Sequence, residues 1–389
     1  NPFKVLNERP KNIFSDEILN FFSELSKEGL KIYKKKEELK EFVGFFFWIR
    51  KANMNLLKSN YVQKDYRFGR GGSFHLAPSN VPANALFSLA FGLLSGSPSV
   101  IRISNNALKN LEIVCEIINS LLHKDKFSRV KNIFSIINYD HNDELNKNFS
   151  LISSSRLIWG GDQTIQLFKK YPTKADCIDL TFPDKTSSSI IDVESLQKIP
   201  HEIYQKLIEN FSRDIATFSQ NACSSPFFIY TYKNKKENKK FLYKFFADIN
   251  FFLGRKFNDE IPTNEHFKSS VDLLFFGKNT IKNFFKGDKL FVSKVDKNFI
   301  KSLNGYRPKF ACLCIVELSS LDELGKFLPE KNQTIVILPF EKSIIEIIVP
   351  IIGPIGTNRV VQAGDALNMN LYWDGHDIVS SLSRIVQTF

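Results

Sequence analysis

No uninterrupted apolar run in these 389 residues reaches the roughly 20 that a membrane-crossing helix requires; residues 42–48 and 344–355 come nearest and are short or broken. The start, Asn1-Pro2-Phe3-Lys4, lacks the charged-then-apolar pattern and small-residue cleavage site of a secretory leader, so a cytoplasmic protein is expected. Cysteines are few, five in all, and no two form a CxxC pair, which argues against a disulfide framework or a thiolate zinc site and leaves no metal to expect. Cys312 and Cys314 stand two apart in an apolar run, on one face of a strand, and read as core. Glycine-rich fingerprints are missing too: Gly69-Arg70-Gly71-Gly72 precedes a strand instead of following one, which disfavours an ordinary Rossmann oxidoreductase. Internal repeats and low-complexity linkers are absent.

Basic side chains number 53 against 41 acidic, a formal net charge of +12. The lysines are scattered among Asn, Ile and Phe, and the clusters at Lys34-Lys35-Lys36 and at 233–240 lie beside helical segments, the pattern of a solvated surface. Nucleic acid is therefore not the expected partner; a basic face that docks an acidic carrier protein is the sharper alternative to a merely solvated one. The 38 phenylalanines are spread throughout and are mostly core.

The first sixty residues read as helices, with Ser15-Asp16-Glu17 opening one and residues 37–58 continuing with helical apolar spacing. From Gly72 short β-like runs alternate with helical ones: Ser73–Leu76, Ala83–Leu94, Ser99–Ile103, then residues 106–122, 131–137 and 156–159, and a helix opening near Asp162. Such alternation predicts an α/β fold with a parallel sheet covered on both faces. A run at 186–191 and a helix at 201–215 lead to Ser219-Gln220-Asn221-Ala222-Cys223-Ser224-Ser225-Pro226 and a strand at 227–232, where a second domain is expected. A Lys- and Phe-rich helix over 234–254 and strands at 311–317, 334–338 and 359–362 follow.

Ligands of open parallel sheets bind beyond the carboxyl ends of the strands. The relevant connections are Ala77-Pro78-Ser79-Asn80-Val81-Pro82, Ser104-Asn105-Asn106 and Gly160-Gly161-Asp162. Cys223 is set apart from the other cysteines by its small polar neighbours just before an apolar strand, where a thiol can face a cleft and backbone N–H groups can stabilise its thiolate. Taken alone, this segment fits a buried, unreactive cysteine as well.

His75-Leu76-Ala77-Pro78-Ser79-Asn80-Val81-Pro82, the order and spacing through Ile101-Arg102-Ile103-Ser104, Trp159-Gly160-Gly161-Asp162 and the cysteine loop together resemble the LuxC-type acyl-CoA reductases, distant members of the aldehyde dehydrogenase superfamily. Arg359-Val360-Val361-Gln362-Ala363-Gly364 and Trp373-Asp374-Gly375-His376-Asp377 are similar to blocks more specific to the LuxC-type branch, and the likeness covers roughly residues 65–389. Ser79 stands where that family commonly has glycine.

The resemblance implies an aldehyde-dehydrogenase-like fold with a cofactor-binding domain over residues 1–185, helical over residues 1–60. A cysteine domain over 186–340 follows, and then a C-terminal segment, 341–389, that returns to the cofactor domain or forms an oligomer interface. The resemblance also implies that Cys223 attacks a thioester carbonyl while Asn80 and the Cys223 N–H stabilise the oxyanion, a contribution of ~3 kcal/mol per donor. Ala77, Pro78, Ser79, Gly160, Gly161 and Thr164 are implied as cofactor contacts, with Asp162 capping its helix. Arg102 stands where the superfamily usually has a lysine; its fork suits a 2′-phosphate and favours NADPH, with NADH the alternative. Thr181-Phe182-Pro183-Asp184-Lys185 replaces the superfamily's Glu-Leu-Gly-Gly-Lys, so the water-activating glutamate is missing and an acyl-enzyme would survive for reduction.

The expected activity is reduction of acyl-CoA or an acyl carrier protein thioester to an aldehyde, with an acyl-activating enzyme as a further partner and a homodimer or tetramer as the assembly. An oxidative aldehyde dehydrogenase and a non-catalytic basic binding protein are the alternatives. His75 and His376 lie inside the matched blocks and are given no role in proton transfer.

Overall fold

The computed structural model describes residues 1–61, 66–78, 81–233, 238–277, 281–303 and 306–388; for residues 37, 38, 106 and 301–303 the backbone alone is described. The chain forms two compact units, Asn1–Pro183 with Met369–Phe389, and Asp184–Asn368.

In the first unit the helix Asp16–Tyr33 begins after Ser15, but the Ser15 hydroxyl makes no capping bond and is buried without a partner. The run 37–58, with its helical apolar spacing, forms a 3-10 segment Glu37–Phe42 and two helices, Val43–Trp48 and Lys51–Asn60. The break lets Phe42, Phe45, Phe46 and Ile49 all reach the interior. Phe46 lies over Gly29, where a Cβ would stand 2.4 Å from its ring, and the Ser26 hydroxyl donates to the Phe46 carbonyl at 2.7 Å.

Six strands follow: β1 (Tyr66–Gly69), β2 (Ser73–Leu76), β3 (Ser99–Ile103), β4 (Phe134–Asn138), β5 (Ser155–Trp159) and β6 (Ile178–Phe182). The last five form an all-parallel sheet in the order β4-β3-β2-β5-β6. Every residue of β2 and β5 is buried, as expected for central strands covered on both faces. On one face Phe74 stacks on Phe149, itself stacked on Phe3, with Val100, Ile158 and Phe168 in the same layer. Helices Ala83–Leu94 and Asn105–Leu122 follow β2 and β3, and the second is capped by the Ser104 hydroxyl, which accepts from the Ala107 N–H at 3.3 Å. Buried Arg156 binds Asp179 through both arms of its fork, at 2.7 and 2.6 Å.

The second unit carries β7 (Thr186–Asp192), β8 (Pro226–Tyr232), β9 (Ile281–Lys286), β10 (Phe291–Val295), β11 (Cys312–Glu317), β12 (Asn332–Leu338) and β13 (Arg359–Gln362). Their order is β13-β12-β7-β8-β11-β10-β9, parallel except for the β9–β10 pair. Alternation sorts the side chains into two apolar layers: Ile191, Ile229, Leu313, Ile315 and Val336 on one face, and Ile190, Phe228, Tyr230, Cys312, Cys314 and Ile335 on the other. The helix expected over 234–254 spans Lys239–Lys256, and residues 234–237 lie outside those described. A further correction concerns the domain ends. Ile344, Ile348 and Ile352 of the helix Lys342–Ile352 enter the second layer, and β13 pairs with β12, so this unit extends to Asn368 instead of ending at 340.

The chain ends in the first unit with β14 (Tyr372–Trp373), β15 (His376–Asp377) and β16 (Ser383–Val386), the last antiparallel to β1. Asp374 (φ 49°) and Gly375 (φ 81°) both lie in the left-handed region, as a two-residue type I′ hairpin requires, which explains the Asp-Gly pair of the Trp373–Asp377 block. Among the described residues no helix is long and apolar enough to cross a membrane.

Candidate active site

A crevice opens where the order of a parallel sheet reverses, at the carboxyl ends of the strands. In the first unit β3 and β4 lie to one side of β2 and β5 and β6 to the other, so the reversal falls at β2 and β5. The turns that leave these two strands hold most of the residues singled out as cofactor contacts. After β2 the Ala77 N–H donates to the Arg102 carbonyl at 3.0 Å, Ala77 is buried, and Pro78 is half-buried. Ser79 and Asn80 lie outside the described residues. The helix that starts at Ala83 receives a carboxylate unforeseen in the sequence: Glu41 accepts from the Ala83 N–H and, at 3.4 Å, from Asn110 Nδ2. Burial raises the Glu41 carboxyl above its ordinary range despite these donors.

After β5, Gly160 and Gly161 lead into the helix Asp162–Lys169. A Cβ on Gly160 would meet Thr164 Cγ2 at 3.1 Å, so Gly160 and Thr164 are close neighbours and an added methyl would crowd them. Gly161 takes the N-cap position, which corrects the expectation that Asp162 caps; Asp162 is the first helical residue, where its charge favours the helix dipole. Arg102, at the end of β3, donates from Nη2 to the Tyr139 carbonyl at 2.9 Å and lies 5.3 Å from the centre of the Tyr139 ring. Its Nε is buried without a protein partner.

The two histidines of the matched blocks lie in or against the first sheet. His75 is fully buried on β2 with Nδ1 2.8 Å from the Ser88 hydroxyl, which also accepts from Trp159 Nε1 at 3.1 Å. Burial lowers the His75 pKa to about 3, so the ring is neutral. His376 packs its edge against Phe182, which stacks on Trp159 at 3.8 Å.

In the second unit Cys223 lies three residues before β8, at the amino edge of its sheet. The loop is built by strain and by long-range bonds. Phe218, Ser219 and Gln220 have φ of 56°, 52° and 64°, three successive non-glycine residues in the left-handed region, where such residues are disfavoured. Phe310 and Ala311 share that conformation, and the Phe310 N–H donates to the Ser219 carbonyl at 3.1 Å. Gln220 Nε2 donates to the Pro226 carbonyl at 2.9 Å. The Ala222 carbonyl accepts from the Ser225 N–H at 3.1 Å and the Cys223 carbonyl from the Ser187 hydroxyl at 2.7 Å. No described residue accepts the Cys223 N–H.

Cys223 is half-buried. Burial pushes up the thiols of Cys115, of Cys177 to about 11, of Cys312 to about 12, and of Cys314, which makes all four poor nucleophiles near neutrality.

The block at Arg359 is likewise a scaffold. The Arg359 fork collects the carbonyls of Asp365, Ala366 and Asn368 at 3.2, 3.0 and 3.0 Å, and the Asp214 carboxylate accepts from the N–H groups of Gly364 (φ 96°) and Ala366 at 2.7 and 3.2 Å. Ser187, Asp214 and Glu41 had no local signal in the sequence, because each acts on a segment far along the chain.

This pair of sheets is the aldehyde-dehydrogenase-like architecture. Superposition on 1-pyrroline-5-carboxylate dehydrogenase of Thermus thermophilus gives a TM-score of 0.69 over 99% of this chain and 83% of that one, at 9% identity. Lactaldehyde dehydrogenase of Escherichia coli gives 0.63 over 95% and 85%, at 13% identity, and the glyceraldehyde-3-phosphate dehydrogenase GapN of Methanocaldococcus jannaschii, complexed with NADP, gives 0.63 over 95% and 88%, at 12%. Within that class the chain belongs to the acyl-CoA reductase (LuxC) family, whose model matches residues 15–388. It is 24% identical over 331 residues to the long-chain acyl-protein thioester reductase of Vibrio harveyi, a match that takes in 82% of this chain but spans only 64% of that relative's length.

Proposed function

We propose that the chain reduces an acyl thioester, carried on CoA or on an acyl carrier protein, to the aldehyde, with a nicotinamide cofactor as reductant and Cys223 as nucleophile. The observation that carries this reading is the Cys223 loop: a half-buried thiol after a strained turn, with its own N–H claimed by no described residue, while burial quiets the other four thiols. Membership of the family, and the name of the V. harveyi relative, support the substrate class.

In this mechanism the Cys223 sulfur attacks the thioester carbon, and the carbonyl oxygen takes negative charge that the Cys223 N–H and the Asn80 amide stabilise. Collapse expels the carrier thiolate, which leaves as the thiol after gaining a proton. A nicotinamide, when bound, would be the source of the hydride that the acyl carbon accepts. The resulting thiohemiacetal on Cys223 breaks its C–S bond, releasing aldehyde and restoring the sulfur. Thr181 stands where the superfamily's hydrolytic members carry their glutamate and cannot activate water, so the acyl group survives to be reduced.

The first unit fits such a cofactor at its order reversal: bare backbone at Gly160 and Gly161, with Thr164 alongside, suits the diphosphate, and Ala77 and Pro78 follow the neighbouring strand β2. The guanidinium of Arg102, at the end of β3 where the superfamily usually has a lysine, suits a 2′-phosphate, which favours NADPH over NADH. A homodimer or tetramer, an acyl-activating partner and a cytoplasmic location complete the proposal on the ground of the family resemblance alone.

The test is oxidation of NADPH and of NADH with a panel of acyl-CoA and acyl carrier protein thioesters, with the aldehyde trapped, in wild type and Cys223→Ala. Aldehyde formed only when Cys223 is present supports the reading. Binding of the cofactor without turnover on any thioester, or turnover that survives Cys223→Ala, sinks it.

A further inference from the structure

Three successive carbonyls of the cysteine loop are each held by a different group. That of Asn221 accepts from Arg307 Nη2 at 3.4 Å, that of Ala222 from the Ser225 N–H at 3.1 Å, and that of Cys223 from the Ser187 hydroxyl at 2.7 Å. Peptides are planar and trans, so a fixed carbonyl fixes the N–H on the opposite side of the same plane. The N–H groups of Ala222, Cys223 and Ser224 are thereby aimed before any substrate arrives.

Arg307 differs from the other two holders in reach and in charge. Its Nη1 donates to the Lys185 carbonyl at 2.5 Å, at the head of β7, so one rigid fork ties the cysteine loop to the neighbouring strand. The residue is half-buried and is followed by buried Pro308. Upstream the loop is anchored by the left-handed run Phe218–Gln220, which is strained and would relax if released.

We infer that Arg307 is a positioning residue for Cys223: its fork on the Lys185 and Asn221 carbonyls fixes the peptide that leads into Ala222, and so holds the loop in the shape that presents the sulfur and lets the Ser225 bond set the Cys223 N–H. The inference rests on the reading of Cys223 as nucleophile. It names a determinant far from the cysteine motif in sequence, and its charge and its geometry can be tested apart.

The measurement is the rate of alkylation of Cys223 by iodoacetamide across a pH series, read by mass spectrometry of the Cys223 peptide, in the full chain and in Arg307→Gln and Arg307→Lys. Labelling of buried Cys312 and Cys314 in the same digests reports unfolding. With Arg307→Gln the alkylation rate falls roughly tenfold, while kcat for thioester reduction falls by about tenfold to a hundredfold with less change in KM. Arg307→Lys keeps the charge but cannot bridge two carbonyls and recovers neither, whereas guanidinium ion added to Arg307→Gln restores some of both. Equal alkylation in wild type and Arg307→Gln overturns the inference, as does a loss that added guanidinium does not recover. Because alkylation needs no thioester, its outcome is separate from the fate of the reductase reading, which Cys223→Ala decides.

Discussion

The turns at the order reversal of the first sheet and the cysteine loop of the second unit are made in opposite ways. The first lie at the carboxyl ends of β2 and β5, where any parallel sheet with this strand order opens a crevice, and they need little beyond glycine and proline to stay open. The second lies at the amino edge of β8, where topology provides nothing. It is held by three left-handed residues and by hydrogen bonds from Ser187 and Arg307, 36 and 86 residues away along the chain. A cofactor-type crevice comes with the architecture, whereas a nucleophile loop has to be braced.

If that contrast is right, the two places fail independently, and the largest effect is expected at the sulfur. Cys223→Ala is expected to lower turnover by at least about a thousandfold while leaving nicotinamide binding within about twofold of wild type, as measured by steady-state rates and by cofactor fluorescence titration. Loss of cofactor binding in that variant would break the contrast. Arg102→Leu comes next: with one charge-assisted pair removed, NADPH affinity drops by roughly tenfold to a hundredfold and NADH affinity stays, so the ratio of the two binding constants is the readout. An unchanged ratio rejects the 2′-phosphate role. Gly160→Ala is smaller, because the added methyl meets Thr164 Cγ2 at 3.1 Å and some of the clash can relax. About a tenfold loss of affinity for either cofactor is expected, or ~1.4 kcal/mol, with Cys223 alkylation unchanged.

The same contrast explains which regions of the molecule are legible in the sequence. Strands such as Ser73–Leu76 and Ser99–Ile103 and the helix Ala83–Leu94 have the bounds that the sequence predicts, since both faces of a central parallel strand are apolar and the helices between them have their own period. The order reversal follows from strand order, and the glycines after Trp159 can be found from alternation alone. Cys223 stands out only through its small polar neighbours and the family likeness. Its bracing is invisible, because Ser187 and Arg307 are ordinary residues whose partners are far away, and because nothing in Phe218-Ser219-Gln220 announces a left-handed backbone that contains no glycine. The domain end at 340 fails for a related reason: the helix Lys342–Ile352 and β13 are claimed by an apolar layer and a sheet edge formed earlier in the chain. Asn80 is singled out by its motif, and its position lies outside the described residues.

Asp214 offers the finest test of whether bracing, more than topology, sets the state of the second unit. Its carboxyl is fully buried and accepts from the Gly364 and Ala366 N–H groups, yet burial outweighs these donors and raises its pKa to about 7, with Asp365 adding to the rise and Arg213 opposing it. An unfolded aspartate titrates near ~3.9, so across the window from about pH 4 to about pH 7 the folded chain binds the extra proton. Its contribution to stability is therefore complete below the unfolded value and is lost as pH rises through the folded one, at no more than about 1.4 kcal/mol per pH unit. Asp214→Asn removes the titration and leaves an amide whose oxygen can still accept from one of the two N–H groups. Denaturant unfolding of wild type from pH 4.5 to 7.5, set against Asp214→Asn, is expected to show the wild type losing stability relative to the variant as pH increases. Parallel pH dependences would mean that Asp214 is already charged in the fold, held by Gly364 and Ala366 strongly enough to overcome its burial.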